Sequence, residues 1–187
     1  MEIFAFTLIA VMLTSLVGKD ARVVADLSAK LGAGPGLYSV SALSAIATAG
    51  AMAWLGAEFS SWLIGAARGY LIAGALLAAA AMLLTPVELT LPREPTRSHG
   101  AIGLVLLARQ IIDAPRLLIF AAAAAKAEAL APFLAGGLGS IIILLWAVAA
   151  ARPLGSTRRM VFLRRSMALC LGALAIAAIM IAHAPIA

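Results

Sequence analysis

Long apolar runs separated by short polar connections cover almost the whole chain. A membrane-spanning helix needs about 20 mainly apolar residues, and six stretches meet this requirement. We predict spans at approximately residues 3–29, 37–57, 60–85, 100–125, 132–151 and 165–186. The third contains Arg68, so an interfacial helix followed by a shorter span is the alternative there. The pattern predicts an all-α, polytopic membrane protein with six transmembrane helices.

The longest polar stretch divides these spans into two sets of three. It contains Pro86, Pro92 and Pro95 among several charged residues, which is typical of a loop. We therefore predict a first three-helix repeat at residues 1–85, a connecting loop at 86–99 and a second three-helix repeat at 100–187. Three is an odd number, so the two repeats would have opposite orientations in the membrane. Inverted repeats bring equivalent helices together near the bilayer midplane, where transporters hold their substrates.

Each half carries charged residues within its first predicted span. They are Lys19, Asp20, Arg22 and Asp26 in the first half and Arg109, Asp113 and Arg116 in the second. A charge at the bilayer centre costs about 2.5 to 3.5 kcal/mol on insertion scales, so ionisable residues there are functional candidates. The helix breakers Gly18 and Pro115 lie in the same stretches. They would free backbone carbonyls, which membrane proteins tolerate only in the protein interior or beside a water-filled cavity.

The composition supports a membrane location, because 64% of the residues are hydrophobic and only 12% are charged. The net charge of +6 reflects topology rather than a nucleic-acid partner. Most Lys and Arg residues outside the predicted spans fall in the connections after the first, third and fifth spans. By the positive-inside rule, these connections are cytoplasmic and both termini lie outside the cytoplasm. We expect a multi-pass protein of the cell inner (plasma) membrane.

Motifs of soluble enzymes are missing from the sequence: there is no phosphate loop, no H-E-x-x-H and no paired Cys motif. We therefore expect no enzyme activity and no resident cofactor. The expected partners are the lipid bilayer and a transported ion or small solute, with a homo-oligomer or a paired homologue as a further option.

The span number, the two halves and the charged motif in each half resemble the GDT family of membrane cation/proton exchangers. Members of that family carry two copies of E-x-G-D-K/R-S/T and are associated with manganese or calcium transport. The first motif aligns its E, G, D, K/R and S/T positions with Ser15, Val17, Gly18, Lys19 and Asp20. The second aligns the same positions with Gln110, Ile112, Asp113, Ala114 and Pro115. Lys19 and Asp113 are the matching residues.

The resemblance implies a central metal site, although most motif acids are replaced. Calcium and manganese prefer several oxygen ligands. The candidate ligands are Asp20 and Asp113, with Gln110 and Ser15 as neutral oxygens. The candidate charge partners are Lys19, Arg22, Asp26, Arg109 and Arg116. The alternative is two internal salt bridges, Asp20 with Lys19 or Arg22 and Asp113 with Arg109 or Arg116.

The sequence thus predicts a membrane transporter similar to cation/proton antiporters that exports manganese or calcium by alternating access. One alternative is export of an amino acid or other small anionic solute, with Lys19, Arg22 and Arg116 recognising the anionic group. Arg22 lies nearer the helix end, so we expect its side chain to extend toward the cytoplasmic interface. The second alternative is a non-transporting membrane protein that pairs with an intact homologue.

Overall fold

A computed structural model describes residues 2–86, 98–152 and 158–183. This part of the chain forms eight α-helices and no strand. The helices are α1 Glu2–Val17, α2 Lys19–Leu31, α3 Pro35–Trp62, α4 Ala66–Leu84, α5 His99–Gln110, α6 Ala114–Lys126, α7 Leu130–Ala150 and α8 Arg158–His183. The all-helical prediction is confirmed for the described residues.

Four of these helices, α3, α4, α7 and α8, are long and apolar enough to cross a membrane. Helices α1 and α2 meet the same criterion together and are bent by 54° at their break, which makes them a fifth candidate span. These helices indicate a membrane protein. The sixth span and the inverted repeats stay predictions.

Two breaks divide the stretches predicted as the first and fourth spans. At the first, Gly18 is extended (φ −67°, ψ 168°) and its N–H donates to the Ser15 carbonyl at 3.1 Å. At the second, Asp113 is extended (φ −81°, ψ 154°) and its Oδ1 accepts from the Ala114 N–H at 2.9 Å. Pro115 lies in the first turn of α6, where a proline costs no hydrogen bond. Gly18 and Asp113 therefore hold the same position, directly before the second helix of each broken pair.

The broken helices pack against straight helices of the other half. Helices α1 and α2 contact α7, whereas α5 and α6 contact α3, and α3 contacts α7. Small residues allow this close approach: a Cβ at Gly139 of α7 would lie 3.1 Å from the Leu8 carbonyl oxygen of α1. Since α1 also contacts α6, the two breaks come together inside the bundle.

Polar and apolar side chains are distributed as expected for a protein surrounded by lipid. Large apolar side chains lie on the outer surface of α8, where Phe162 is 72% and Ile181 is 76% exposed. Charged and polar side chains such as Arg116 and Gln110 are buried instead. An apolar exterior of this extent is unusual in a soluble monomer. The chemistry that the sequence offers is therefore concentrated in the interior.

Candidate functional site at the two helix breaks

Two buried acids, one from each break, are neighbours in the interior of the bundle. Asp20 lies in the first turn of α2 and Asp113 directly precedes α6, and their carboxyl groups interact with each other. Each stands at a helix N-terminus, where the helix dipole favours negative charge. A Cβ at Gly18 would lie 3.2 Å from the Asp113 Oδ2 atom. Because Gly18 has no side chain, it leaves room for the carboxyl group of Asp113.

The Asp113 carboxyl group is only partly satisfied. Its Oδ1 atom accepts the hydrogen bond from Ala114, whereas the buried Oδ2 atom has no partner among the described residues. A buried acceptor without a partner is unfavourable, and two adjacent carboxylates also repel each other. A proton shared by Asp20 and Asp113, or a cation bound between them, would relieve both effects. The pair is thus suited to an exchangeable positive charge.

Arg116 provides a permanent positive charge beside this acid pair. It is 2% exposed, and its charge acts on both Asp20 and Asp113. Its guanidinium donates from Nε to Thr48 Oγ1 at 2.9 Å, from Nη1 to Ser140 Oγ at 2.7 Å and from Nη2 to Gln110 Oε1 at 3.1 Å. These neutral partners hold the guanidinium in place without cancelling its charge.

Gln110 belongs to this hydrogen-bond network. Its Oε1 atom accepts from Arg116 and from Thr48, both at 3.1 Å, and its Nε2 atom donates to Ser44 Oγ at 3.2 Å. The amide oxygen considered as a metal ligand is therefore engaged by two donors. Ser15, the other neutral candidate, is buried and its Oγ atom has no partner among the described residues. The described residues contain no group of three or more His, Cys, Asp or Glu side chains that could hold a metal ion.

The remaining predicted charge partners differ in burial and in whether they act on the pair. Lys19 is half-buried and donates to Thr85 Oγ1 at 2.9 Å, and its charge acts on Asp113. Asp26 is half-buried one turn after Arg22, and Arg109 is exposed. Arg22 is 3% exposed, so its side chain lies within the protein, and its extension toward the cytoplasmic interface stays a prediction. It is buried because α2 is covered by its neighbours along most of its length.

The sequence did not assign four polar residues to the helix breaks: Ser44, Thr48, Ser140 and Arg164. Ser44 and Thr48 continue a stripe from Ser41 at helical spacing along one face of the otherwise apolar α3, and this stripe was a usable signal. Arg164 carried no such signal. It lies on α8 and donates from Nη1 to the Val17 carbonyl at 2.9 Å and from Nε to the Leu83 carbonyl at 3.0 Å. It thereby connects the first break to the end of α4.

A comparison of the chain with protein-family models, with curated proteins and with solved structures found no match. The function must therefore be argued from the acid pair and its surroundings.

Proposed function

We propose that this protein is a proton-coupled membrane transporter in which the Asp20–Asp113 pair holds the exchanged proton. The observation that carries the proposal is the meeting of two buried acids, one from each helix break. Transporters commonly build their central sites from such discontinuous helices. Acids placed within membrane spans are functional candidates because burying them is costly.

The balance of charge around the pair favours a proton over a divalent cation. Arg116 compensates one of the two negative charges, so one added proton makes the group neutral. A divalent cation would instead leave an excess of positive charge, close to Lys19 and Arg164, whose charges also act on Asp113. The cargo that suits these basic surroundings is a small anionic solute, such as an acidic amino acid.

The packing of the helices supports alternating access. Each broken pair contacts a straight helix of the opposite half, which is the arrangement expected if the halves are inverted repeats. We include the α5–α6 pair as a sixth crossing. With six crossings, the basic connections face the cytoplasm and both termini lie outside it.

Proton movement in proteoliposomes tests the proposal. A pH-sensitive dye inside the vesicles reports proton flux when acidic amino acids, Mn²⁺ or Ca²⁺ are added outside. We expect a saturable signal that falls at least about tenfold in Asp113→Asn and Asp20→Asn, because amide side chains cannot exchange a proton. Glu128→Gln, an exposed acid in the α6–α7 connection, is the matched control and should retain the flux. Full activity in both aspartate variants would refute the proton site.

Manganese or calcium exchange with protons is the second candidate function. It is favoured by the free oxygens of the site, Asp113 Oδ2 and Ser15 Oγ, and by the resemblance to the GDT family. A signal driven by Mn²⁺ or Ca²⁺ and lost in Ser15→Ala would support it over solute transport. Silence with every cargo, together with copurification of a membrane partner, would favour a non-transporting partner protein.

A further inference from the structure

A cavity of about 310 Å³ lies beside the first helix break, separate from the acid pair. Its walls come from α2, from the C-terminal end of α4 and from α8. The polar groups that line it are Arg22, Thr85, Arg164 and Arg165, and apolar side chains such as Leu83 and Val161 complete it. The three arginines come from two helices that are far apart in the sequence. They meet only because of the fold.

Arg22 is the least satisfied of these arginines. It is 97% buried, since only 3% of it is exposed, and its Nε and Nη2 atoms have no hydrogen-bond partner among the described residues. Asp26, one turn further along α2, is half-buried and offsets part of the charge. A buried guanidinium normally has hydrogen-bonding partners, because leaving its donors unpaired is costly. Arg22 thus lines the cavity with a guanidinium group that the described residues do not fully satisfy.

The second arginine increases the positive charge of the cavity. The charge of Arg164 repels that of Arg22. The guanidinium of Arg164 is held by backbone carbonyls: besides Val17 and Leu83, its Nη2 atom donates to the Met82 and Thr85 carbonyls at 3.2 and 3.0 Å. Carbonyls fix the orientation of the group but leave its full charge. Arg165, exposed at the cavity wall, adds a third positive charge. Among the described residues, Asp26 offsets part of the charge of Arg22 and Asp113 part of the charge of Arg164.

We propose that this cavity binds a phosphate group, supplied either by a soluble phosphate or by the headgroup of an anionic lipid. Inorganic phosphate and a phosphate monoester such as phosphatidic acid carry more than one negative charge near neutral pH. They also offer several acceptor oxygens, which matches converging guanidinium groups. The cavity opens at the end of α4, where the most polar connection of the chain begins.

Thermal unfolding of the purified protein tests the site without requiring transport. The protein is reconstituted in nanodiscs of phosphatidylcholine and titrated with inorganic phosphate against sodium chloride at matched ionic strength. The test variant is Arg22→Met, which removes the guanidinium but keeps an unbranched side chain as far as the position of the arginine Nε atom. Arg159→Met is the control, because this arginine is exposed on the first turn of α8 and does not line the cavity.

If soluble phosphate is the ligand, the Tm of the wild type and of Arg159→Met rises by roughly 5 to 10 °C at about 100 times the Kd. The Tm of Arg22→Met should not change with phosphate, and in chloride alone it should equal or exceed that of the wild type. If a lipid headgroup is the ligand, phosphatidic acid in the nanodisc gives this pattern and inorganic phosphate does not. The proposal would be overturned if either source of phosphate raised the Tm of Arg22→Met as much as that of the wild type. It would also be overturned if neither source raised the Tm of the wild type.

These outcomes are independent of the proposed transport. Loss of phosphate binding in Arg22→Met with intact proton flux would leave the acid pair unaffected. Proton flux that fails in every condition would not alter the binding result. The two proposals can therefore fail separately.

Discussion

Replacing Arg116 with methionine removes the cation beside the acid pair and the donor to three neutral oxygens. Arg116 is 2% exposed, and Thr48, Gln110 and Ser140 accept its hydrogen bonds. Methionine fills a similar volume, so the effect reports on charge and hydrogen bonding more than on packing.

The magnitude follows from these contacts. Side-chain hydrogen bonds within membrane proteins contribute about 0.6 kcal/mol each, so the three contribute about 2 kcal/mol. Removing one partner of a buried ion pair lowers the free energy of unfolding by about 3 to 5 kcal/mol. Uptake of a proton by the Asp20–Asp113 pair recovers part of this loss. We expect a net loss of about 3 kcal/mol in the free energy of unfolding. For a chain of this size the corresponding fall in Tm is roughly 6 to 12 °C.

Thermal unfolding in detergent gives the measurement, with Arg109→Met as the control because Arg109 is exposed at the same break. A double-mutant cycle then tests the reason for the effect. Arg116→Met should cost at least about 1 kcal/mol less in an Asp113→Asn background, since the negative charge that it balances is already gone. Equal Tm values for Arg116→Met and the wild type, or strict additivity with Asp113→Asn, would refute this account of the site.

Two further predictions concern the first break and the orientation in the membrane. Gly18→Ala should lower the Tm and slow proton flux, because its Cβ would lie 3.2 Å from Asp113 Oδ2 and 3.1 Å from two α1 carbonyl oxygens. Gly74→Ala is the control, since its Cβ would meet nothing within 4 Å. Equal Tm values and equal flux for the two variants would contradict the steric argument. In a Cys170→Ser background, a membrane-impermeant maleimide added to intact cells should label Lys126→Cys but not Arg158→Cys, and the reverse pattern would invert the proposed topology.

The sequence predicted the helices and both candidate acids because those signals are local. Apolar runs identify spans, and a glycine or proline within them marks a break. The partners of Gln110 could not be predicted in this way. Its orientation depends on Ser44 and Thr48 of α3, which reach it only through packing between separate helices.

The burial of Arg22 could not be predicted for a similar reason. Its position near a helix end suggested access to the membrane interface, but the sequence does not show which neighbours cover that end. In the structure, α8 brings Arg164 across the ends of α1 and α4, on the same side of the bundle as Arg22. Burial of a long side chain is a property of the assembled bundle, and no local pattern around Arg22 reports it.

The glycine at the first break and the acid at the second occupy the same position of their broken pairs. Asp113 from the second half uses the space that Gly18 leaves in the first, and Asp20 completes the pair from the other side. The halves are therefore complementary rather than interchangeable. Residues 1–85 supply only Asp20 of the pair and residues 100–187 supply only Asp113, so neither half holds the site alone. A chain that lacks either half therefore loses one of the two acids that meet at the breaks.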